Sequence, residues 1–509
     1  MDDKRYQFLV DRLEADSKQH PGAFRLKVML VSGAAYVILC LFLVVLGALV
    51  YWGVTLARSD RHYTHLIRIG LFALTLLPIF WVSLRTFFTR LEPPRGRELK
   101  PAEAERLFRI LERIRRKLQA PPIDKVLVDD QYNAAICQVP RFGLFGGHRN
   151  YLIIGLPYLL ATPEGEMIAT LAHEYGHLAG DHGKMGAWVY RQRLTFGAIY
   201  EKVLQGAESN WVNGLMAQAL GRFAPYFNAY TFVLSRQHEY EADAAASRIA
   251  GVAPNGGGLI RGELLGRWIT EEFWPTLYAQ ADEREQPRFF PYAAMRSAFA
   301  AGHAQWATKE RLADALKQDS GIEDTHPCLR ERLEAIEAAV GLPMPPKRSA
   351  AETILDATAK KLIEEFDAAW WEDTRAGWQS HYLRRVSVKR RVAELLPRGR
   401  ENLSDFDLQE LASLQAELND ADGALESVNQ LLRRGGGPYS KTELLKGRLL
   451  LANGDRNGLD HLLAAREADA SLNDECLRRG YEFLCRMDGE EAADHWIAGV
   501  LGGVEESGG

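Results

Sequence analysis

Cysteine is scarce in this chain, and an excess of positive charge is absent. The 509 residues contain five widely spaced cysteines, namely Cys40, Cys137, Cys328, Cys476 and Cys485. Because they form no CxxC pair, they argue against a disulfide framework and a cysteine-based zinc site, and they fit a reducing compartment. The formal net charge of −5 argues against a partner held by its phosphates, so we expect no nucleic-acid partner.

Two familiar signals are also missing. The glycine-rich stretch GVAPNGGGL, residues 251–259, predicts a loop, but it lacks the Gly-Lys-Ser/Thr ending of a phosphate-binding loop. A cleavable signal peptide is a poor fit, because the first apolar block is too long and no A-x-A site follows it.

Two apolar runs near the N-terminus predict membrane helices after a cytoplasmic segment at residues 1–28. Residues 29–54 carry no charge, and residues 66–84 carry only Arg68. About 20 apolar residues span a bilayer, although a pair of buried core helices is the alternative. Lys and Arg are frequent on both outer flanks and sparse between the runs, so both flanks should face the cytoplasm.

Proline-broken stretches divide the rest of the chain. LEPPRGRELKP, residues 91–101, predicts a linker, and GLPMPPKRSA, residues 341–350, predicts a domain boundary. One domain, residues 95–340, lies between them. Its stretches DKVLVDD and YNAAICQV and the run 151–154 have strand character. A charged linker helix is expected over residues 350–398.

Three helix–turn–helix units are predicted over residues 402–503. Asn419, Asn453 and Met487 in their turns stand 34 residues apart (453 − 419 and 487 − 453). This period is typical of tetratricopeptide repeats, whose concave surface binds protein partners.

The stretch ATLAHEYGHLAGDH, residues 169–182, contains His-Glu-x-x-His. Thr162 as the cap and Pro163 at the first position predict a helix through the motif that stops at Gly180. His173 and His177 then lie one turn apart on the same face and can bind zinc. The intervening Glu174 can act as the base that takes a proton from water.

A third zinc ligand must come from elsewhere in the chain. SRQHEYEADAAAS, residues 235–247, is helical in pattern and offers Glu239 as that ligand, one turn before Asp243. Asp243 can bond the other ring nitrogen of a ligating histidine. The small residues that follow would let this helix approach the first closely, and Glu241 should point elsewhere. A solvated acidic helix face is the alternative reading.

His182 is a rival third ligand. A metzincin pattern places a histidine at the sixth position after His177, with glycine at the third. Gly180 is in place, but His182 comes one residue early. Its role stays open.

The paired motifs HEYGH and SRQHEYEAD resemble the HtpX-like and CAAX-prenyl-protease family of integral-membrane zinc metallopeptidases, which are gluzincins. The resemblance covers roughly residues 100 to 340. It implies one zinc ion per chain bound by His173, His177 and Glu239, with Glu174 as the catalytic base and Asp243 bonded to a ligand.

A second shared element, THPCLRER, brings two more residues toward the site by the same resemblance. His326 could stabilise the oxyanion or cover the metal as a latch, and Arg332 would lie near the ligands. The strand YNAAICQV resembles the one beside the cleft, where an extended substrate can add as a further strand.

We therefore expect a mainly α fold. It would have an N-terminal two-helix membrane hairpin, an α+β gluzincin-type catalytic domain with a small sheet, and a C-terminal helical repeat region. The expected function is a membrane-anchored zinc endopeptidase of protein or peptide substrates in membrane-protein quality control. It would sit in a bacterial inner membrane with its catalytic domain in the cytoplasm. The alternatives are a silent repeat-based binding protein and a protease for lipid-modified CAAX-type peptides.

Overall fold

The computed structural model describes residues 3–59, 93–140, 148–179, 204, 211–320 and 326–502. The chain forms two compact units, Met1–Pro275 with Phe289–Trp371, and Thr276–Arg288 with Glu372–Gly509. The first unit contains both metal-site motifs. The mainly α fold with a small sheet is confirmed.

Two helices open the chain, α1 (Asp3–Gln19) and α2 (Pro21–Ser59). The first predicted span lies inside α2, whereas the second, residues 66–84, lies outside the described residues. Within the described part of the chain, no helix meets the length and apolarity needed to cross a bilayer. The membrane hairpin stays a prediction.

A small sheet follows, with strands β1 (Arg97–Leu99), β2 (Lys125–Asp129), β3 (Ala134–Pro140) and β4 (His148–Gly155). Their order is β1-β2-β4-β3, with β2 and β4 parallel and the other two pairs antiparallel. The three predicted strands are confirmed, and β1 corrects the predicted linker. Leu99 in β1 is buried, so pairing with β2 and a place in the core outweigh the neighbouring prolines.

Five helices of the described residues pack with this sheet. In chain order they are α3 (Glu105–Leu118), α4 (Leu156–Ala161), α5 (Glu164–Leu178), α6 (Trp211–Ala250) and α7 (Val252–Trp268). One hydrophobic core joins them to the sheet through buried side chains such as Leu107, Val128, Leu152, Leu171 and Leu264. The site-bearing helices α5 and α6 are therefore held on a packed scaffold.

Residues 252–259 of the glycine-rich segment are helical and begin α7, with Gly251 as the cap residue, so the predicted loop is wrong. A Cβ on Gly257 would lie 3.2 Å from Oε1 of Glu166 in α5. The glycines therefore let α7 approach α5 closely, and this packing outweighs their low helix propensity.

The start of α5 also differs from the prediction. Pro163 is the cap residue, and Thr162 uses its hydroxyl to donate to the carbonyl of Tyr158 in α4. The helix ends at Leu178, two residues before the predicted stop at Gly180. Thr162 thus closes the preceding helix, because α4 lies immediately before it in the chain.

Helix α8 (Trp274–Ala279) begins in the first unit, and its residues from Thr276 onward belong to the second. The first unit then continues through α9 (Pro291–Ala301), α10 (His303–Trp306), α11 (Lys309–Lys317) and α12 (Leu329–Ala335). The segment 341–350, predicted as a boundary, packs within this unit. Ser349 and Ala350 are fully buried, and the Ala350 N–H donates to the carbonyl of Thr162 at 2.7 Å. Backbone hydrogen bonds and burial hold this proline-rich chain in place.

The charged helix is α13 (Ala357–Leu395). Three helix pairs follow: α14 (Asp405–Glu417) with α15 (Ala421–Leu432), α16 (Ser440–Ala452) with α17 (Gly458–Ala468), and α18 (Asn473–Asp488) with α19 (Glu490–Gly502). Small residues allow close packing, since a Cβ on Gly458 would lie 2.7 Å from the carbonyl oxygen of Gly447. Their assignment to tetratricopeptide repeats stays a prediction.

Candidate metal centre

Helix α5 carries the first two candidate ligands and the candidate base. Its apolar side chains Met167, Leu171, Tyr175 and Leu178 are buried in the core. Glu164 and Glu166 lie in its first turn, where carboxylates complement the helix dipole. The opposite face presents His173, which is 8% exposed, to α6.

Helix α6 supplies the facing carboxylates, and it lies very close to α5. A Cβ on Gly176 would stand 2.9 Å from Cα of Ala242, where real Cβ contacts essentially never occur. Ala242, Ala245 and Ala246 are buried as the small-residue pattern predicts, whereas Ala244 is exposed. The glycine inside HEYGH therefore sets the spacing between the two motifs.

His173, His177 and Glu239 form a compact cluster whose ligand atoms all lie within 4.8 Å of one another. Nε2 of His173 is 3.2 Å from Nε2 of His177 and 3.6 Å from Oε2 of Glu239. Nε2 of His177 is 3.4 Å from the other carboxylate oxygen, Oε1. Two imidazole nitrogens and one carboxylate are a ligand set found in catalytic zinc sites.

Asp243 fixes the orientation of His173. Its Oδ1 lies 2.9 Å from Nδ1 of His173, which leaves Nε2 facing the cluster. Arg332 donates to both carboxylate oxygens of Asp243, from Nε and Nη2, at 2.8 Å each. Asp243 is fully buried, so this bidentate pair supplies the partners that a buried charge needs.

Burial and neighbouring charges shift the pKa of each of the three side chains in the cluster. Burial lowers the pKa of His173, but hydrogen bonds with Asp243 and Glu239 outweigh it and raise that pKa to about 9. Burial and the positive charge of His173 lower the pKa of His177 to about 3. Burial would raise the pKa of Glu239, yet its bonds with His173 and His326 hold it well below its usual range. Glu239 is therefore ionised and His177 neutral, whereas a bound cation would have to displace the proton that the raised pKa keeps on His173.

Glu174 points from α5 toward the edge of the described sheet. Its Oε2 accepts a hydrogen bond of 2.9 Å from the backbone N–H of Ile136 in β3. Burial raises the pKa of this carboxyl, while the positive charge of His173 and the Ile136 N–H oppose the rise. A carboxylate held at a fixed point with a raised pKa is suited to accept and return a proton.

Two more residues of the predicted site region, His326 and Glu241, lie near Glu239 in the structure. Nδ1 of His326 lies 2.8 Å from Oε2 of Glu239, and its ring is 67% exposed. Glu241 points away and pairs with Arg25 at 2.5 Å, which confirms that part of the prediction. His182, the rival ligand, lies outside the described residues.

Two supporting contacts were missed from the sequence. Arg261 in α7 donates from Nε and Nη2 to Glu166 in α5 at 2.6 and 3.0 Å, and both side chains are buried. The amide of Asn255 donates to the Asp243 carbonyl at 3.0 Å. The local signals of close helix packing were the glycine at the fourth position of HEYGH and the small residues after Asp243. The two polar contacts have no local signal, because their partners lie far apart in the chain.

One protein-family model matches the part of the chain that holds this site. The model of peptidase family M48 matches residues 101–340, the segment that holds both helix motifs, the sheet strands β2–β4 and the His326 segment. A search of curated proteins finds no match to the chain.

Proposed function

Residues 101–340 belong to peptidase family M48, and from this premise we propose that the chain is a membrane-anchored zinc endopeptidase acting on protein substrates. The family supports a metallopeptidase. One observation carries the finer proposal, namely the cluster of His173, His177 and Glu239 with Glu174 fixed beside it by the strand β3.

The cluster fits zinc by the chemistry of its donors. His173, His177 and Glu239 would bind the ion, and Asp243 would hold the His173 ring in the ligating orientation. Three protein ligands leave a fourth position for water or substrate. When bound, zinc would lower the pKa of a water molecule and polarise a peptide carbonyl.

The chain's own residues account for the proton transfers. Glu174 takes the proton from the attacking water and passes it to the leaving amine, while the Ile136 N–H keeps the carboxylate in place. His326, whose exposed ring lies beside Glu239, would donate to the developing oxyanion. Arg332 neutralises the charge of Asp243, and Asp243 keeps the His173 ring in its orientation.

The substrate would bind as an extended peptide. Strand β3 is at the edge of the described sheet and reaches Glu174 through Ile136. A peptide can add to such an edge through backbone hydrogen bonds, which requires an unfolded or flexible segment. This supports unfolded proteins as substrates.

Membrane anchoring and quality control are further parts of the proposal. Residues 29–54 and 66–84 support a hairpin in a bacterial inner membrane, with the catalytic residues on the cytoplasmic side. The C-terminal helix pairs would bind protein partners or present substrates. Cell fractionation tests the anchoring: the full chain should remain in the membrane pellet after an alkaline carbonate wash, and release into the wash would contradict it.

The central experiment compares the wild type with Glu174→Gln, both purified in detergent. Bound zinc and cleavage of an unfolded protein are measured. We expect about one zinc per chain in both proteins and cleavage only by the wild type, because the substitution removes the base and spares the ligands. Zinc in neither protein, or equal cleavage by both, would overturn the proposal.

A further inference from the structure

The N-terminal helices pack directly on the helix that carries Glu239. Their buried apolar side chains meet those of α6 in a cluster of Val10, Leu13, Phe24, Val28, Ala229, Phe232, Val233 and Leu234. The α6 members of this cluster lie about one and a half to three turns before Glu239. The position of α6 near the metal site therefore depends on contacts with α1 and α2.

A partly buried ion pair extends this contact toward the site. Glu14 of α1 accepts from Nη1 of Arg236, whose side chain is only 10% exposed. The guanidinium also lies over the ring of Phe232, 5.2 Å from its centroid. Arg236 precedes Glu239 by three residues, so the two side chains lie on neighbouring turns of one helix face.

Glu331 continues the network from Arg236 to the other side of the site. Its Oε2 lies 3.6 Å from Nη2 of Arg236 and accepts from the Tyr240 hydroxyl at 3.1 Å and from Oγ of Ser320 at 3.0 Å. Ser320 in turn accepts from the Cys328 N–H at 2.7 Å. These bonds fix Ser320 and Cys328, which flank His326 in the chain.

We propose that Glu14, Arg236 and Glu331 form an N-terminal clamp whose members are positioning residues for His326 and for the pair of Arg332 with Asp243. The inference rests on the proposed zinc site. Glu331 and Arg332 are adjacent on α12. One turn of that helix therefore bonds α6 at two residues, Tyr240 and Asp243. A second ion pair, Arg25 with Glu241 at 2.5 Å, binds α2 to α6 beside Glu239.

The clamp works because Glu14 and Glu331 share the guanidinium of Arg236. While Glu14 holds Arg236, Glu331 remains bonded to Tyr240 and Ser320. Without Glu14, the guanidinium pairs more closely with Glu331 and draws it away from Ser320. The His326 segment then loses its anchor, although every metal ligand is still present.

The test uses the full chain with cobalt in place of zinc, because the visible absorption of bound cobalt reports the geometry of its ligands. The variants are Glu14→Ala and Ser320→Ala. Asp11→Ala is the matched control, since Asp11 lies on the same helix and bonds only with Gln7 among the described contacts. Bound cobalt per chain, the absorption spectrum, melting temperature, kcat and KM are measured.

We expect both variants to bind one cobalt with an altered spectrum and to lose kcat about tenfold, with little change in KM or melting temperature. Glu14→Asp, which keeps the carboxylate, should recover most of the activity. Glu14→Ala and Ser320→Ala matching Asp11→Ala in spectrum and kcat would overturn the clamp. No cobalt in the wild type would overturn the proposed function itself, and the clamp with it.

Discussion

Gly176 in α5 lies against Ala242 in α6 with no room for a side chain between the two helices. A Cβ at Gly176 would be 2.9 Å from Cα and 3.2 Å from Cβ of Ala242. The contact is adjacent to His177 on one helix and three residues beyond Glu239 on the other. It therefore sets the distance between the third ligand and the histidine pair.

Gly176→Ala should destabilise the protein and weaken zinc binding. In a free helix, alanine would be favoured over glycine by about 1 kcal/mol. Here the added methyl group has to push two backbones apart, which costs about 1–3 kcal/mol. Gly262→Ala in α7 is the control, because a Cβ added at Gly262 would have no neighbouring atom within 4 Å. Urea unfolding should show a lower free energy of unfolding for Gly176→Ala and no decrease for Gly262→Ala.

Glu239→Gln should lose most of the bound zinc, whereas Glu241→Gln should retain it. The two glutamates are two residues apart on α6, but Glu239 is 8% exposed and faces both histidines, while Glu241 is 43% exposed and faces Arg25. We expect the Glu239 variant to lose zinc affinity by at least about 100-fold, since it removes a ligand. Equal zinc content in the two variants, measured after dialysis, would exclude Glu239 as a ligand.

Removal of zinc should lower the melting temperature of the wild type. The ion binds the folded state, so free zinc at about 1,000 times its dissociation constant stabilises the fold by about 4 kcal/mol. A thermal scan with and without a chelator measures the shift. Glu239→Gln is the control and should melt at nearly the same temperature in both conditions. A wild type that is insensitive to both chelator and added zinc would argue against a metal site.

The residues of the candidate site could be predicted because they follow helix periodicity. His173 and His177 recur at one turn, as do Glu239 and Asp243, and each pair lies on a single helix. The strands around Ile136 were predicted from their apolar runs. In each case the residues that form the pattern are only a few positions apart in the chain.

The remaining features depend on partners distant in sequence. Glycines at 251–259 indicate a loop, but close packing of this segment against Glu166 and Ala338 explains why most of it is helical. Thr162 is a residue type typical of helix N-caps, but its hydroxyl donates to the carbonyl of Tyr158 instead. Such tertiary contacts override local propensity, and they have no counterpart in the spacing of the sequence.

The buried pair of Arg261 with Glu166 should be essential for the start of the metal-binding helix. Arg261 bonds both carboxylate oxygens and the carbonyl of Met344, and it is 2% exposed. Arg261→Met leaves the buried carboxylate without its charge partner, which costs about 3–5 kcal/mol.

Arg106→Met provides the control for this prediction. Arg106 also pairs with a carboxylate at the start of α5, Glu164, but its side chain is 53% exposed. Water replaces such a partner readily, so its loss costs less than about 1 kcal/mol. Combining Arg261→Met with Glu166→Leu should recover much of the stability, because no charge is then left buried. If the two arginine variants unfold at the same urea concentration, the buried pair contributes no more than an exposed one, and α5 is held by its apolar face alone.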